Sequence, residues 1–411
     1  MRGQQAAQGA SAGDRAPLIG LAPLVRKIFD GEQLEDIWRV LQARVATDPE
    51  DANALMDMST ILQLHANTQA GLIVQAKALK LNRHYRRPAA GTANLRLLAL
   101  MAPGQLMDNA PLEFLLEDAD VDFDMVYLSP DEMQLPALPE HDVLLVAMGQ
   151  AERNHGLLHR LEGWLKDWPR PVINAPARII DTTREGAYAR LHGCPGLAVP
   201  ASRRIEREAL AQLAAGQTDI GALLGAGFPI IIRPLDSHAG KGLSRLDGPD
   251  DVAAYLAGMA DAVFHIGSYV DYRSPDGHFR KYRIALIDGQ PFAGHMGISD
   301  HWIIHYLNAG MGENAWKRNE EAAFMDGFVD GFASRHAVGL RAMHEAMGLD
   351  YLLIDCAETQ DGKLLVFEVD TGAIIHDLDP PELYPYKSGH MHKLFDAFRA
   401  MLRQRMRGTD A

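Results

Sequence analysis

The stretch DYLLIDCAETQDGKLLVFEVDTG, residues 350–372, decides how the rest of the chain is read. Two apolar runs flank Asp361-Gly362, a pair suited to a two-residue type I′ turn, so the stretch predicts a β-hairpin. That turn sets Asp355 directly opposite Glu368, and the two-residue repeat of a strand puts Glu368 and Asp370 on one face. Like charges opposed across a sheet repel. A solvated acidic edge would tolerate them, but the neighbours Leu352, Leu353, Ile354, Leu364, Leu365, Val366 and Phe367 are all apolar. Mg²⁺ takes hard oxygen ligands, commonly one or two carboxylates together with substrate phosphates. Asp355, Glu368 and Asp370 are therefore the candidate metal ligands.

Two earlier hairpins supply cations. FRKYRIALIDGQPFAGH, residues 279–295, turns at Asp288-Gly289 and carries Lys281 and Arg283 on one strand face, with Gly294 as the expected partner of Arg283. A small partner leaves room for the guanidinium along the sheet, and a buried Arg needs an anion, either a structural acid or a ligand phosphate. IIIRPLDSHAGKGL, residues 230–243, sends a strand bearing Arg233 into a loop with Gly240, Lys241 and Gly242. Glycines let backbone N–H groups approach phosphate oxygens closely. The loop is not a Walker A motif, because Leu235 and Gly242 stand where that pattern needs Gly and Ser or Thr.

Outside these hairpins, residues from about 18 to 88 read as all helix. Leu34, Ile37, Trp38, Leu41 and Val45 form one stripe, Asp48-Pro49 suits a helix start, and 52–81 resembles one tetratricopeptide-type helix pair. Such a unit either packs on its neighbour or docks a peptide or carrier protein. LRLLALM (95–101), 122–128 and 142–148 read as strands alternating with helices at 111–117 and 157–168, a small parallel α/β layer. No GxGxxG follows its first strand, which argues against a dinucleotide site. A helical run covers about 319–347 before Gly348, and an amphipathic helix closes the chain.

Among the 411 residues, 54 acidic side chains outnumber 40 basic ones for a formal charge of −14, which excludes wholesale nucleic-acid or anionic-membrane binding. The two cysteines, Cys194 and Cys356, show no CxxC spacing, which excludes a disulfide framework or structural zinc and fits a reducing, cytoplasmic setting. No run approaches the length of about 18 apolar residues that spans a membrane. Residues 1–17 lack the apolar core of a secretory signal and are expected to be a disordered tail.

Taken in order, these motifs resemble the ATP-grasp superfamily, in particular its glutathione-synthetase and RimK-like branch, over roughly residues 92–405. The stretch INAPARIIDTTREGAYARL, residues 173–191, resembles the entry to the first ATP-binding lobe. The resemblance implies a mixed α/β and α+β fold. It would comprise a helical N-terminal domain (18–90), a parallel α/β pre-ATP-grasp domain (91–175) and a two-lobed ATP-grasp domain with antiparallel sheets (176–405). It implies ATP as substrate with Mg²⁺, or Mn²⁺ in its place, and a ligase that activates a carboxylate as an acyl phosphate before amide formation. The carboxylate would belong to a small molecule, a peptide or a carrier-bound acid. Homodimers are common on this resemblance.

Arg184 and Arg233 stand where the family's two ATP-binding lysines usually stand, exchanging a point donor for a planar fork. SHAGKG, with Ser237, His238, Gly240, Lys241 and Gly242, resembles the loop that closes over the phosphates. In HIGSYVDY, Tyr269 and Val270 fall at the hinge that meets the adenine, with Gly267 and Ser268 where a Glu is usual. Lys281 joins the ATP-binding set, and Arg283 matches the arginine that stabilises the transferring phosphoryl group. Asp370 stands where Asn is common among the metal ligands. His305 and Asn308 in HYLNAGMG either face the acceptor or serve ordinary loop hydrogen bonding. Two other readings stay open: a degenerate ATP-binding module whose helical domain recruits a partner, and a member that stops at phosphorylation.

Overall fold

A computed structural model describes residues 15–235 and 240–408. Four helices open it: α1 (Leu21–Phe29), α2 (Glu35–Thr47), α3 (Ala52–Leu64) and α4 (Thr68–Leu81). Leu34 and Leu41 of the expected stripe are buried with Leu24, Ala54 and Ile61. α3 begins where the Asp51 carboxylate accepts from the backbone N–H of Ala54 at 3.0 Å, so Asp51 is the cap rather than Asp48. Asp48 instead accepts from Arg15 at 2.7 Å, which ties that residue of the expected tail to the helices. Residues 1–14 of that tail lie outside the described residues.

Asp57, on the inner face of α3, is fully buried and accepts from the N–H groups of Ile19 and Gly20, each at 2.9 Å. Burial outweighs those two donors and pushes its carboxyl up to about 6. The unfolded chain loses this proton near the ordinary Asp value of about 3.9. The folded state therefore holds an extra proton between about pH 4 and pH 6, and the Asp57 contribution to stability falls as pH rises through that window. Thermal melts should show the wild type losing stability across that range relative to Asp57→Asn.

A five-stranded sheet follows: β1 (His84–Arg87), β2 (Leu95–Met101), β3 (Val121–Tyr127), β4 (Val143–Val146) and β5 (Val172–Ile173), in the order β1-β3-β2-β4-β5. β2 to β5 pair in parallel, and β1 runs antiparallel to β3. β1 corrects the all-helical reading of 18–88: the short HYRR segment just before Pro88 pairs with a sheet edge that local patterning does not reveal. α5 (Leu112–Leu115) and α6 (His155–Leu165) cover this layer. β2 is apolar and buried at every position but Arg96, as expected of a strand covered on both faces.

The first lobe is built from α7 (Pro176–Ile180), α8 (Arg184–Leu191), β7 (Ser202–Glu206), α9 (Arg207–Ala214), α10 (Ile220–Leu224), β8 (Ile230–Pro234), β9 (Ser244–Leu246), α11 (Pro249–Gly258) and β10 (Val263–Ser268), while β6 (Leu197–Ala198), between α8 and β7, joins the second-lobe sheet in parallel with its last strand. Its sheet runs β7-β10-β8-β9, all antiparallel. The second lobe holds β11 (Phe279–Ile287), β12 (Gln290–Ser299), α12 (Ala315–Asp326), α13 (Ala337–Met347), β13 (Tyr351–Glu358) and β14 (Leu364–Asp370). Its order is β12-β11-β13-β14-β6, and α14 (Lys387–Arg407) packs across it. The helical run expected near 319–347 is interrupted by a π-helical turn at Val329–Ala333. α13 ends at Gly348, whose φ of 61° is the left-handed conformation that Gly adopts without strain.

The decisive hairpin forms with a different turn. Thr359 N–H donates to Lys363 at 2.9 Å, Gly362 N–H donates to Thr359 at 2.9 Å, and Gly362 takes φ 80°. This is a longer loop closed by a left-handed glycine, not the two-residue turn. It shifts the outer pairs by one, as in Cys356 opposite Val366. A bulge between Asp355 and Cys356 then absorbs the shift, and Asp355 lies opposite Glu368 as the sequence predicts. No helix among the described residues is long and apolar enough to cross a membrane.

Candidate active site

One face of the second-lobe sheet carries the charged residues as successive cross-strand neighbours. Gly297 pairs with Lys281 and His295 with Arg283 across β12 and β11; Arg283 then pairs with Asp355 on β13, and Asp355 with Glu368 on β14. The alternation of β11 sends Tyr282 to the opposite face, where its ring meets Phe324 and Phe332. A second bulge lies between Arg283 and Ile284, beside the first. Bulges bend a strand and re-aim its side chains. This one moves the Arg283 partner from the expected Gly294 to His295. Gly294 still matters, since a Cβ there would fall 2.9 Å from the Arg283 carbonyl oxygen and 3.2 Å from its Cγ.

Arg283 donates from Nε and Nη2 to the two oxygens of Asp355 at 2.8 and 3.0 Å, and from Nη1 to the Ile374 carbonyl at 3.0 Å. Lys281 Nζ lies 2.7 Å from the same carboxylate. Burial alone would raise the Asp355 carboxyl, but Arg283 and then Lys281 hold it far below the usual range. A guanidinium has five N–H donors, so Arg283 keeps two for an anion.

Glu368 pairs with Arg184 at 3.0 Å across the cleft, and burial of the Glu368 carboxyl is outweighed by that guanidinium, which keeps it low. Arg184 also donates to the Phe367 carbonyl at 3.3 Å. It stands at the first position of α8, whose cap Thr183 accepts from Gly186. Arg233, on β8 opposite His265, is pushed down to about 10 by burial and by the nearby Arg184. Two guanidiniums brought this close favour an anion between the lobes.

The three acids do not form a closed cage. Among the described residues no group of three His, Cys, Asp or Glu side chains is gathered to hold a metal ion. Both Asp355 oxygens bond Arg283 and Lys281, whereas the sequence predicts Asp355 as one of three metal ligands. The remaining pair behaves differently. Burial and Glu368 push the Asp370 carboxyl up to about 6, and its Oδ1 accepts from Gly372 N–H at 2.7 Å. Two carboxylates whose repulsion is this poorly offset fit the one or two that Mg²⁺ commonly takes alongside phosphates.

Gly240 and Gly242 adopt φ of 70° and 68°. A Cβ at Gly240 would lie 2.9 Å from His305 Nε2, and one at Gly242 2.7 Å from Pro234 Cδ, so both need to be glycine. Lys241 between them is exposed. Ser237 and His238 lie outside the described residues. At the hinge, Tyr269 N–H donates to the Pro229 carbonyl at 3.2 Å, so any adenine contact there does not use that N–H. Its ring is covered by Arg245 at 4.5 Å and meets Trp302 edge-on, while Val270 is half-buried nearby.

His305 and Asn308 part company. Asn308 is exposed, and its side-chain oxygen accepts from His305 N–H at 2.9 Å, capping the turn Tyr306–Asn308. That is ordinary loop hydrogen bonding, one of the two readings the sequence allows. His305 is half-buried against Gly240, and burial with Lys281 lowers its pKa.

Sequence reasoning missed His295, kept neutral by burial, Arg283 and Lys387. It also missed the polar knot beside it. There Glu321 accepts from Tyr306 at 2.8 Å and Tyr386 at 2.6 Å, while Lys387 bonds Asp379 at 2.8 Å. The ring of Tyr306 lies 4.7 Å from that of His295.

No family model matches the chain. A formate-dependent phosphoribosylglycinamide formyltransferase from Delftia acidovorans is 38% identical over 82 residues, which is 20% of this chain and 20% of that relative's length. A D-alanine–D-alanine ligase from Bacillus anthracis, solved with ATP, is 15% identical with a TM-score of 0.43 over 76% of this chain and 99% of its own. A RimK domain ATP-grasp protein from Sphaerobacter thermophilus is 15% identical with a TM-score of 0.39 over 75% and 99%. By motif order and by its two-sheet lobe architecture, the chain resembles the ATP-grasp superfamily.

Proposed function

We infer that the chain is an ATP- and Mg²⁺-dependent ligase that converts a carboxylate to an acyl phosphate and then to an amide. The observation that carries this reading is the single sheet face on which Arg283, Asp355 and Glu368 are successive cross-strand neighbours, with Lys281 two residues from Arg283 on the same strand and Arg184 and Arg233 nearby. Phosphoryl transfer is mainly a matter of positioning and charge stabilisation, which suits cations and acids without a nucleophilic side chain. A carboxylate oxygen of the substrate attacks the γ-phosphorus, and the bond to the β-phosphate oxygen breaks to release ADP. An amine then attacks the acyl carbon, loses its proton, and phosphate leaves.

Arg184 and Arg233 bind the phosphates, together with the backbone at Gly240 and Gly242 and the ammonium of Lys241. Arg283 and Lys281 stabilise the charge on the phosphoryl group in transit, Arg283 through the donors that Asp355 and Ile374 leave over. Glu368 and Asp370 would hold Mg²⁺, which supplies charge neutralisation at the phosphate oxygens when bound. Purified protein with Mg-ATP should release ADP only when a suitable acid is added from a panel of amino acids and short peptides. Capture of a coupled product with an added amine separates ligation from phosphorylation alone. ADP release that is absent throughout the panel, together with no nucleotide binding, would overturn the reading.

A further inference from the structure

The segment that follows the decisive hairpin touches the candidate site on one side and the N-terminal helices on the other. On the site side, Gly372 N–H bonds Asp370, and the Ile374 carbonyl accepts from Arg283. On the far side, the His376 imidazole lies edge-on to Phe29 of α1 with centroids 5.1 Å apart, and against Phe114 of α5 at 6.1 Å. Leu378 is buried with Ala22 and Phe114, and Leu21, Val25 and Ile374 pack around them.

α1 is firmly held. Ala22 N–H donates to Glu113 at 3.1 Å, Arg26 reaches both oxygens of Glu117 at 3.1 and 2.6 Å, and Asp57 holds the two residues that lead into the helix. The segment itself has little slack. Leu378 N–H donates to His376 Nδ1 at 3.3 Å, and a Cβ at Gly372 would fall 3.0 Å from the Met107 carbonyl oxygen. Between the packed α1 and the sheet face, the Ile374 carbonyl therefore has one place to be.

We propose that Phe29 and His376 form a positioning clamp through which the N-terminal helix holds the Ile374 carbonyl on Arg283 and so sets the guanidinium for phosphoryl transfer. The proposal rests on the ligase reading for its kinetic consequence but not for its structural one. Asp355 fixes one edge of the Arg283 fork, and the Ile374 carbonyl fixes Nη1 at the other. Loss of the second anchor lets the remaining donors swing away from the phosphoryl position, and displacements near 1 Å at a reacting centre can cost orders of magnitude in rate. Phe29 is a positioning residue on this account, since it touches neither substrate.

Phe29 is partly exposed, so its truncation spares the core. In the full chain, Phe29→Ala should lower kcat for acid-stimulated ADP release on the order of tenfold and leave KM for ATP unchanged. The same variant should speed hydrogen exchange of the amides at 372–378. Phe29→Tyr, which keeps the ring, should restore both. Unchanged exchange at 372–378 in Phe29→Ala overturns the clamp, as does faster exchange with wild-type kcat. A wild-type protein that neither binds nucleotide nor releases ADP overturns the ligase reading instead, and the exchange measurement still decides whether the clamp exists.

Discussion

Glu368→Gln is expected to reduce acid-stimulated ADP release by about 10²–10³-fold or more while the protein stays folded. The substitution keeps the shape of the side chain and a carbonyl oxygen able to accept the 3.0 Å bond from Arg184. What it removes is the negative charge that, with Asp370, can hold a cation against the nucleotide phosphates. Glu368 also acts on its neighbours, since it raises Arg233 and pushes Asp370 upward. The variant should therefore show an Asp370 carboxyl that titrates lower and a strongly weakened dependence of nucleotide binding on Mg²⁺. Thermal unfolding supplies the control: the melting temperature should stay close to that of the wild type. Wild-type rates in Glu368→Gln would remove the metal-site argument.

Asp355→Asn should produce the largest loss of stability of any single change at the site, about 3 kcal/mol, because it leaves two half-buried cations without their counter-charge. Arg283 and Lys281 both sit on that carboxylate, whose side chain is 8% exposed. An asparagine oxygen can replace one acceptor, but its NH₂ would point a donor at a guanidinium or an ammonium. Urea unfolding should show a lower midpoint with an unchanged slope. Added salt should restore little, since buried pairs are only weakly screened. The exposed Asp361, 3.0 Å from Lys363 at the hairpin loop, is the comparison: Asp361→Asn should fall within about 0.5 kcal/mol of the wild type.

The legibility of this site depended on which interactions are local. Asp355 facing Glu368 was readable because strand alternation and a turn signal fix register over a short span, and two departures from the simple turn cancelled. The loop at 359–363 shifted the pairing by one, and the bulge at Asp355 shifted it back. No such cancellation occurred at Arg283, where the bulge exchanged Gly294 for His295 as the partner. Local pattern alone cannot place a bulge, because the extra residue is selected by what the bent strand must reach. That Asp355 pairs with cations, which the sequence pattern alone does not show, follows from the same limit. Its capture by Arg283 and Lys281 depends on side chains from another strand pair.

Other features were out of reach of local reasoning altogether. β1 forms because Tyr85 and its neighbours find the edge of β3, about 40 residues downstream. The Glu321, Tyr306, Tyr386 and Lys387 knot joins a helix, a turn and the start of α14, and its members carry no common spacing. The contact of α1 with His376 spans most of the chain, and nothing in either stretch marks the other. Arg184 was different. It was placed by resemblance, and the cross-cleft bond to Glu368 brings it to the acids.

The most direct measurement of the central claim follows an oxygen atom. An acid substrate labelled with ¹⁸O in its carboxylate is turned over with unlabelled ATP, and the released phosphate is weighed by mass spectrometry. Activation as an acyl phosphate predicts that each phosphate carries one labelled oxygen taken from the acid. Phosphate free of label, released along with coupled product, would mean that the carboxylate never attacked the γ-phosphorus, and would contradict the account.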